Sequence, residues 1–355
     1  MKRCVRCHMP DTRPGSRFVA GVCGACRNFD KRAEIDWEAR EALLDEILDG
    51  YHGSGQYDVL CPVSGGKDSH RIVHEMVNRG MRPLLLTVTD SFTHTQAGTH
   101  NLRNLITKFN LNHLTYTISH DLFVRATRHA FEKTGEALKF VEYAIYTIPY
   151  KIAQAMGIGL VTFGENSAYE YGSVEENSSE ATPVIHAMID AMVGQIPFWH
   201  EGGISGDEVL SLTAPKLETP RVIYMSYFFP WSSMDNLAIA RRYGFKDLSG
   251  EWKRDGTIED FEQIDSMAYM VHLWLKYPKF GFQRVSDIAS RRVREGYLTL
   301  DEAKKRIADY DSRLDRKALK DFCQTLGYTE AEFWRIVYTS GWATHEQRRG
   351  VDGNG

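Results

Sequence analysis

Residues 61 to 70 read CPVSGGKDSH, and the fold turns on whether Ser64 to Ser69 is an ordinary turn or a cradle for phosphate. A buried-looking apolar run, YDVLCPV at 57–63, precedes the stretch. SHRIVHEMVNRG at 69–80, with helical periodicity closed by a glycine, follows it. Strand, glycine loop and helix in that order place a phosphate site in a doubly wound sheet. Gly65 and Gly66 leave backbone amides uncovered, and the start of the following helix adds unpaired N–H groups and partial positive charge. Ser64 and Ser69 offer hydroxyls, Lys67 a point charge, and Asp68 a carboxylate suited to Mg2+ between phosphates. The plainer alternative is a strand-to-helix turn capped by Ser or Asp.

Two familiar phosphate loops are excluded. A Walker A loop needs a glycine five residues before the glycine of its Gly-Lys pair and Ser or Thr after the lysine. Those positions hold Cys61 and Asp68. A dinucleotide fingerprint, G-x-G-x-x-G, is also missing from this stretch.

Outward from the loop the pattern alternates. RPLLLTVTD at 82–90 reads as a strand ending at Asp90, HNLRNLITKFN as a helix, LNHLTYTI as a strand and DLFVRATRHAFEKTG as a helix. VEYAIYTIPYKIAQAMG follows as a longer helix that Pro149 is expected to kink. IGLVTFG and RVIYMSYFF at 221–229 read as further strands, with SMDNLAIARRYG as a helix after them. Continuous apolar strands alternating with helices predict a parallel α/β sheet covered on both faces. Asp90 and Gly164-Glu165-Asn166 then fall at the carboxyl edge, where ligands bind in such sheets.

The 355 residues carry an ordinary apolar fraction of 43%, enough for a sizeable core, and a net charge of -4, which weighs against a dedicated nucleic-acid binder. The amino terminus has no apolar signal region, and no apolar run reaches the length that spans a bilayer, so a cytoplasmic protein is expected. Four of six cysteines lie in the first 26 residues, as Cys4-x-x-Cys7 and Cys23-x-x-Cys26. That spacing predicts a four-thiolate structural Zn2+ ribbon, with an iron–sulfur cluster or free thiols as alternatives. The expected organisation is a zinc ribbon at 1–35, a connecting helix and linker at 36–56, and an ATP-binding α/β domain at 57–250. A mainly helical region at 251–345 and a disordered tail at 346–355 complete it.

V-S-G-G-K-D-S after a buried strand resembles the loop of the PP-loop (N-type) ATP pyrophosphatases, whose fold is of the adenine nucleotide alpha hydrolase kind. The resemblance implies that ATP, with Mg2+, is split between its α and β phosphates. AMP is placed on a carbonyl or carboxyl oxygen, and a nitrogen or sulfur nucleophile displaces it. Ser64, Gly65, Gly66, Lys67, Asp68 and Ser69 would hold the pyrophosphate end, and Asp90, Gly164 and Asn166 would lie at the nucleotide. Glu165 would be a general base for ammonia or a ribose ligand; the residues leave both open.

Most of the chain further resembles the N-acetyl sugar amidotransferases of bacterial O-antigen and nonulosonic acid biosynthesis. The points of match are the paired CxxC, DVLCPVSGGKDSH, TFGENSAYEYG, and KYPKFGFQRVSDIASRRVREGYLTLDEA at 276–303. Lys279, Arg284 and Asp287 in the last segment would contact an N-acetylated sugar nucleotide; the alternative is a solvated loop and helix start. Lys2 follows the initiator, and neither Cys61 nor Cys323 sits in a G-x-C-x-G elbow. Ammonia is therefore expected from solution or from a separate glutaminase. The resemblance implies a histidine-biosynthesis-like glutaminase and cyclase pair as partner. A tRNA-thiolating sulfurtransferase and a noncatalytic nucleotide-binding subunit are the competing readings.

Overall fold

The computed structural model describes residues 1–344. Residue 345 and the tail at 346–355 lie outside the described residues. Five parallel strands form the central sheet: β3 (Val59–Pro62), β4 (Pro83–Thr89), β5 (His113–Thr117), β6 (Leu160–Phe163) and β7 (Arg221–Tyr224). They are preceded by a small antiparallel pair, β1 (Phe18–Val19) and β2 (Val22–Cys23). The sheet order is β5-β4-β3-β6-β7, so the chain winds outward from β3 in one direction and then returns to place β6 on its other side. The crevice between β3 and β6 is therefore the topological switch point, at whose carboxyl edge ligands bind in open α/β sheets.

Alternate strand residues face opposite layers. Leu60, Leu84, Leu86, Val161 and Val222 face one core, while Val59, Cys61, Leu85, Leu160 and Ile223 face the other. The second core takes α2 (Trp37–Asp49) and α3 (Lys67–Asn78), with Leu105 of α4 (Gln96–Phe109). The first is covered mainly by α5 (His120–Thr134) and α6 (Lys139–Ala155). Asp36 caps α2, its carboxylate accepting from the Ala39 N–H at 2.9 Å, and Leu44, Ile47 and Leu48 pin that helix to the sheet. Helix α1 (Gly24–Lys31) closes the amino-terminal ribbon.

Pro149 lies inside helix α6, which extends from Lys139 to Ala155 as the longer helix expected there. One expectation is corrected. The 221–229 run forms a strand only to Tyr224 and then a 3-10 turn at Met225–Tyr227. The apolar continuation Met225, Phe228, Phe229 and Trp231 is buried against α2 and α3 instead, so its hydrophobicity records tertiary packing rather than pairing. Between β6 and β7 lie four helices: α7 (Ser167–Glu170), α8 (Thr182–Gly194), α9 (Ile196–Glu201) and α10 (Gly206–Leu210).

After α11 (Ser233–Arg242) the chain enters a stretch, 251–268, without helix or strand that nonetheless packs under the sheet edge. Its backbone is held by buried groups. Arg254 donates to the carbonyls of Glu259, Glu262 and Gln263, and the Glu259 carboxylate accepts from the Phe261 and Glu262 amides at 2.8 Å. Six helices follow: α12 (Tyr269–Trp274), α13 (Lys276–Phe280), α14 (Arg284–Arg294), α15 (Leu300–Tyr310), α16 (Arg316–Leu326) and α17 (Glu330–Thr339). No helix among the described residues is long and apolar enough to cross a membrane.

Candidate active site

A cavity of about 390 Å³ opens at the switch point, between the Ser64–Ser69 loop, the ends of β4 and β6, helix α6 and the 261–265 strap. The loop is shaped by its glycines. Gly65 has φ +85°, and a Cβ there would stand 2.5 Å from the Leu102 amide nitrogen, so only glycine fits. The Ser64 N–H donates to Ser69 Oγ at 3.0 Å and the Gly66 N–H to Ser64 Oγ at 3.3 Å, which folds the loop over the helix start. Gly66 occupies the N-cap of α3 and brings no side-chain cap. The turn is thus not one closed by a Ser or Asp cap, and the first amides of α3 remain available to an anion.

Lys67 begins α3 and is nearly buried; its Nζ lies 2.7 Å from Asp68 Oδ2 and 3.3 Å from Glu262 Oε1. Burial alone would lower its pKa, but Asp68 and Glu262 outweigh that and keep it charged. Asp68 is the more exposed partner, with Oδ1 held by Asn236 Nδ2 at 2.7 Å. This leaves a carboxylate at the loop mouth, the donor chemistry Mg2+ takes alongside phosphate oxygens. Glu165, following β6, lines the cavity opposite, and burial, reinforced by Asp68 and Glu170, pushes its pKa up to about 7. A carboxyl poised there can take a proton at neutral pH.

Other expected residues divide. Asp90 lines the cavity, accepting from the Phe92 N–H at 2.9 Å and Ser266 Oγ at 3.2 Å, and its pKa is raised by burial. Gly164 also lines it, facing Trp231. Asn166 does not; its side chain caps α7 by accepting from the Tyr169 N–H at 3.3 Å. Of the late segment, Arg284 reaches the cavity, whereas Lys279 and Asp287 do not. Lys279 pairs with Glu136 at 3.0 Å. Asp287, 2% exposed, sits between Arg13 and Lys276, the latter at 2.6 Å, and despite burial these cations and Arg284 hold its pKa down at about 2. Both charges are thus engaged by partners outside the cavity lining.

Glu262 and Arg291, on the cavity wall, were missed by sequence reasoning. Their signal was weak: DFEQID carries no helical or strand period, and Arg291 lies in an arginine-rich helix end that reads as solvated. Their spacing contains one clue, since Arg284 and Arg291 are seven residues apart and share a face of α14.

The four amino-terminal cysteines are buried, with all four Sγ atoms within 4.8 Å of one another. Cys7 and Cys23 are 3.5 Å apart at sulfur and Cys4 and Cys26 3.9 Å. Thiolates about 2.3 Å from a tetrahedral Zn2+ would be separated by about 3.8 Å, so the set fits that ion and leaves no coordination position open. Cys61 and Cys323 are buried elsewhere, and burial pushes their pKa values up to about 12 and about 11. Neither lines the cavity.

Residues 255–346 match the family described as LPS biosynthesis protein WbpG-like, C-terminal domain. This match includes the 276–303 segment and supports the resemblance drawn from it. No curated protein matches the chain. Among solved structures, an NMN synthetase from Francisella tularensis is similar at 12% identity and a TM-score of 0.34, over 84% of this chain and 96% of that one. An NH3-dependent NAD synthetase from Campylobacter jejuni subsp. jejuni NCTC 11168, in complex with the nitrate ion, is similar at 14% identity and a TM-score of 0.30, over 62% and 98%. The fold assignment rests on the sheet order and the loop at its switch point.

Proposed function

We propose that the chain is an ATP-dependent, AMP-forming amidotransferase that converts the acetamido group of an N-acetylated sugar, carried as a sugar nucleotide, into an acetamidino group. The observation that carries this reading is the cavity itself. It joins a glycine loop with uncapped helix amides, a charged Lys67 and a carboxyl, Glu165, with a pKa of about 7. The family match at 255–346 supports a role in surface-polysaccharide biosynthesis.

The acetamido oxygen attacks the α-phosphorus of ATP, and pyrophosphate leaves toward the loop, where Lys67 and the α3 amides meet its charge. Mg2+ held at Asp68 would neutralise charge on the phosphates. Ammonia then adds to the imidate carbon, Glu165 accepts a proton from the incoming nitrogen, and AMP departs with the original oxygen. A separate glutaminase of the histidine-biosynthesis type, with its cyclase-like partner, would supply the ammonia in the cytoplasm. The tRNA-thiolation reading needs a reactive cysteine at the site, and Cys61 and Cys323 are buried away from it with raised pKa values.

The test is mass spectrometry of acetamido sugar nucleotides incubated with the protein, ATP, Mg2+ and ammonium. The expected product has one oxygen replaced by NH and appears with equimolar AMP and pyrophosphate. ATP bound but never cleaved, across a panel of UDP-, CMP- and GDP-linked sugars, would sink the reading in favour of a noncatalytic subunit.

A further inference from the structure

The cavity holds more positive charge than the phosphate loop supplies. Three cations from distant parts of the chain converge on one buried carboxylate, Glu262. Lys67 Nζ lies 3.3 Å from its Oε1, Arg291 pairs with the same oxygen, and Arg284 pairs with Oε2. Ser233 Oγ donates to Oε1 at 2.5 Å. Burial would push the Glu262 pKa up, but Arg291, Lys67 and Arg284 outweigh it and hold the group ionised.

Glu262 is the one carboxylate that all three cations share, and Lys67 has Asp68 as a second partner. The arginines also keep unused donors. Arg284 is 8% exposed, and its Nε has no hydrogen-bond partner among the described residues; Arg291 Nε is equally unpartnered. Both side chains line the cavity.

We propose that Arg284 and Arg291 form the second wall of the pyrophosphate site, gripping from α14 the same phosphate group that the Ser64–Ser69 loop cradles from α3. Glu262 is the positioning residue that aims both guanidinium forks at that place. The ligand chemistry is a diphosphate, which either ATP or a sugar nucleotide carries. Arg291 and Lys67 share one oxygen of Glu262, so the grip belongs to the loop and the occupant is the pyrophosphate end of ATP. This inference rests on the nucleotide reading above. It assigns Arg284 to ATP rather than to the sugar nucleotide.

The experiment is calorimetric titration of the full chain with inorganic pyrophosphate, ATP, AMP and UDP-N-acetylglucosamine. The proteins compared are the wild type, Lys67→Ala, Arg291→Gln and Arg291→Lys. Losing one charge-assisted hydrogen bond should weaken pyrophosphate and ATP about 10- to 100-fold in Arg291→Gln, with AMP affinity within about twofold of wild type. Arg291→Lys keeps the buried charge but loses the fork. It should fall between the two, and it decides the matter should the glutamine variant not fold. Wild-type pyrophosphate affinity in either folded Arg291 variant, alongside a loss in Lys67→Ala, overturns the second wall and leaves the nucleotide reading standing. Weakening confined to UDP-N-acetylglucosamine also overturns it, since the arginines would then serve the sugar nucleotide. A wild type that binds neither ATP nor pyrophosphate defeats the nucleotide reading itself.

Discussion

The cysteine cluster and the phosphate-loop cavity lean on the same helix, yet one is closed and the other open. α14 presents Arg284 and Arg291 to the cavity along one stripe. Along a neighbouring stripe it turns Asp287 and Arg294 to the ribbon, where Asp287 pairs with Arg13 and Arg294 donates to Cys7 Sγ at 3.7 Å. Ser286, beside Asp287, receives a hydrogen bond from Arg3 at 3.3 Å. On the far side of the ribbon, Asn28 Nδ2 donates to the carbonyls of Tyr169 and Val174, just past Glu165. Gly24 packs so closely on Gly172 that a Cβ would stand 2.4 Å from its carbonyl oxygen. Four thiolates saturate a metal and leave nothing for chemistry, whereas the cavity keeps donors and a carboxyl uncommitted. Saturation makes a scaffold; unused capacity makes a site.

Breaking each half should therefore fail in a different currency. Cys23→Ser should have the largest effect, abolishing bound zinc by elemental analysis and lowering stability by several kcal/mol, on the order that structural zinc contributes. Retained zinc at one per chain would contradict the closed tetrathiolate. Lys67→Ala should slow AMP formation by about 10²- to 10³-fold while circular dichroism stays native; equal loss of fold and turnover would erase the distinction between the two regions. Asp287→Asn removes the anion from between Arg13 and Lys276, and should cost about 3 kcal/mol in urea denaturation, at the low end for a broken buried pair because both cations are partly exposed.

The smallest change, Glu165→Gln, tests a single proton. With its pKa near 7, the side chain is an available base above that pH and is protonated below it. Wild-type turnover should fall as pH drops through 7. The variant should be slower by about 10²-fold at pH 8, with that limb of the profile flattened. An unchanged pH profile would assign Glu165 to ribose binding instead.

The half of this contrast that rests on local chain geometry was legible in the sequence. The C-x-x-C pairs, the glycine loop behind an apolar strand, and the alternation that builds a parallel sheet involve residues near in sequence, whose spacing and period are set by knuckle, turn and strand geometry. From these followed the ribbon, the switch-point loop, and the placement of Asp90 and Glu165 on one edge. The reading failed where an apolar or charged run served long-range packing. The run after Tyr224 packs against α2 and α3, Asn166 spends its side chain on a cap, Lys279 pairs with Glu136, and Asp287 pairs with Arg13 and Lys276.

What only the tertiary structure decided is which charges face a ligand. Glu262 stands 195 residues from Lys67, and nothing local to DFEQID marks it as the carboxylate on which three cations meet. Sequence distinguishes a charge from an apolar group because burial follows residue type. Whether a charge is consumed by a partner or left turned toward a cavity depends on which distant element packs against it, and here that element is α14, braced by the ribbon at the other end of the chain.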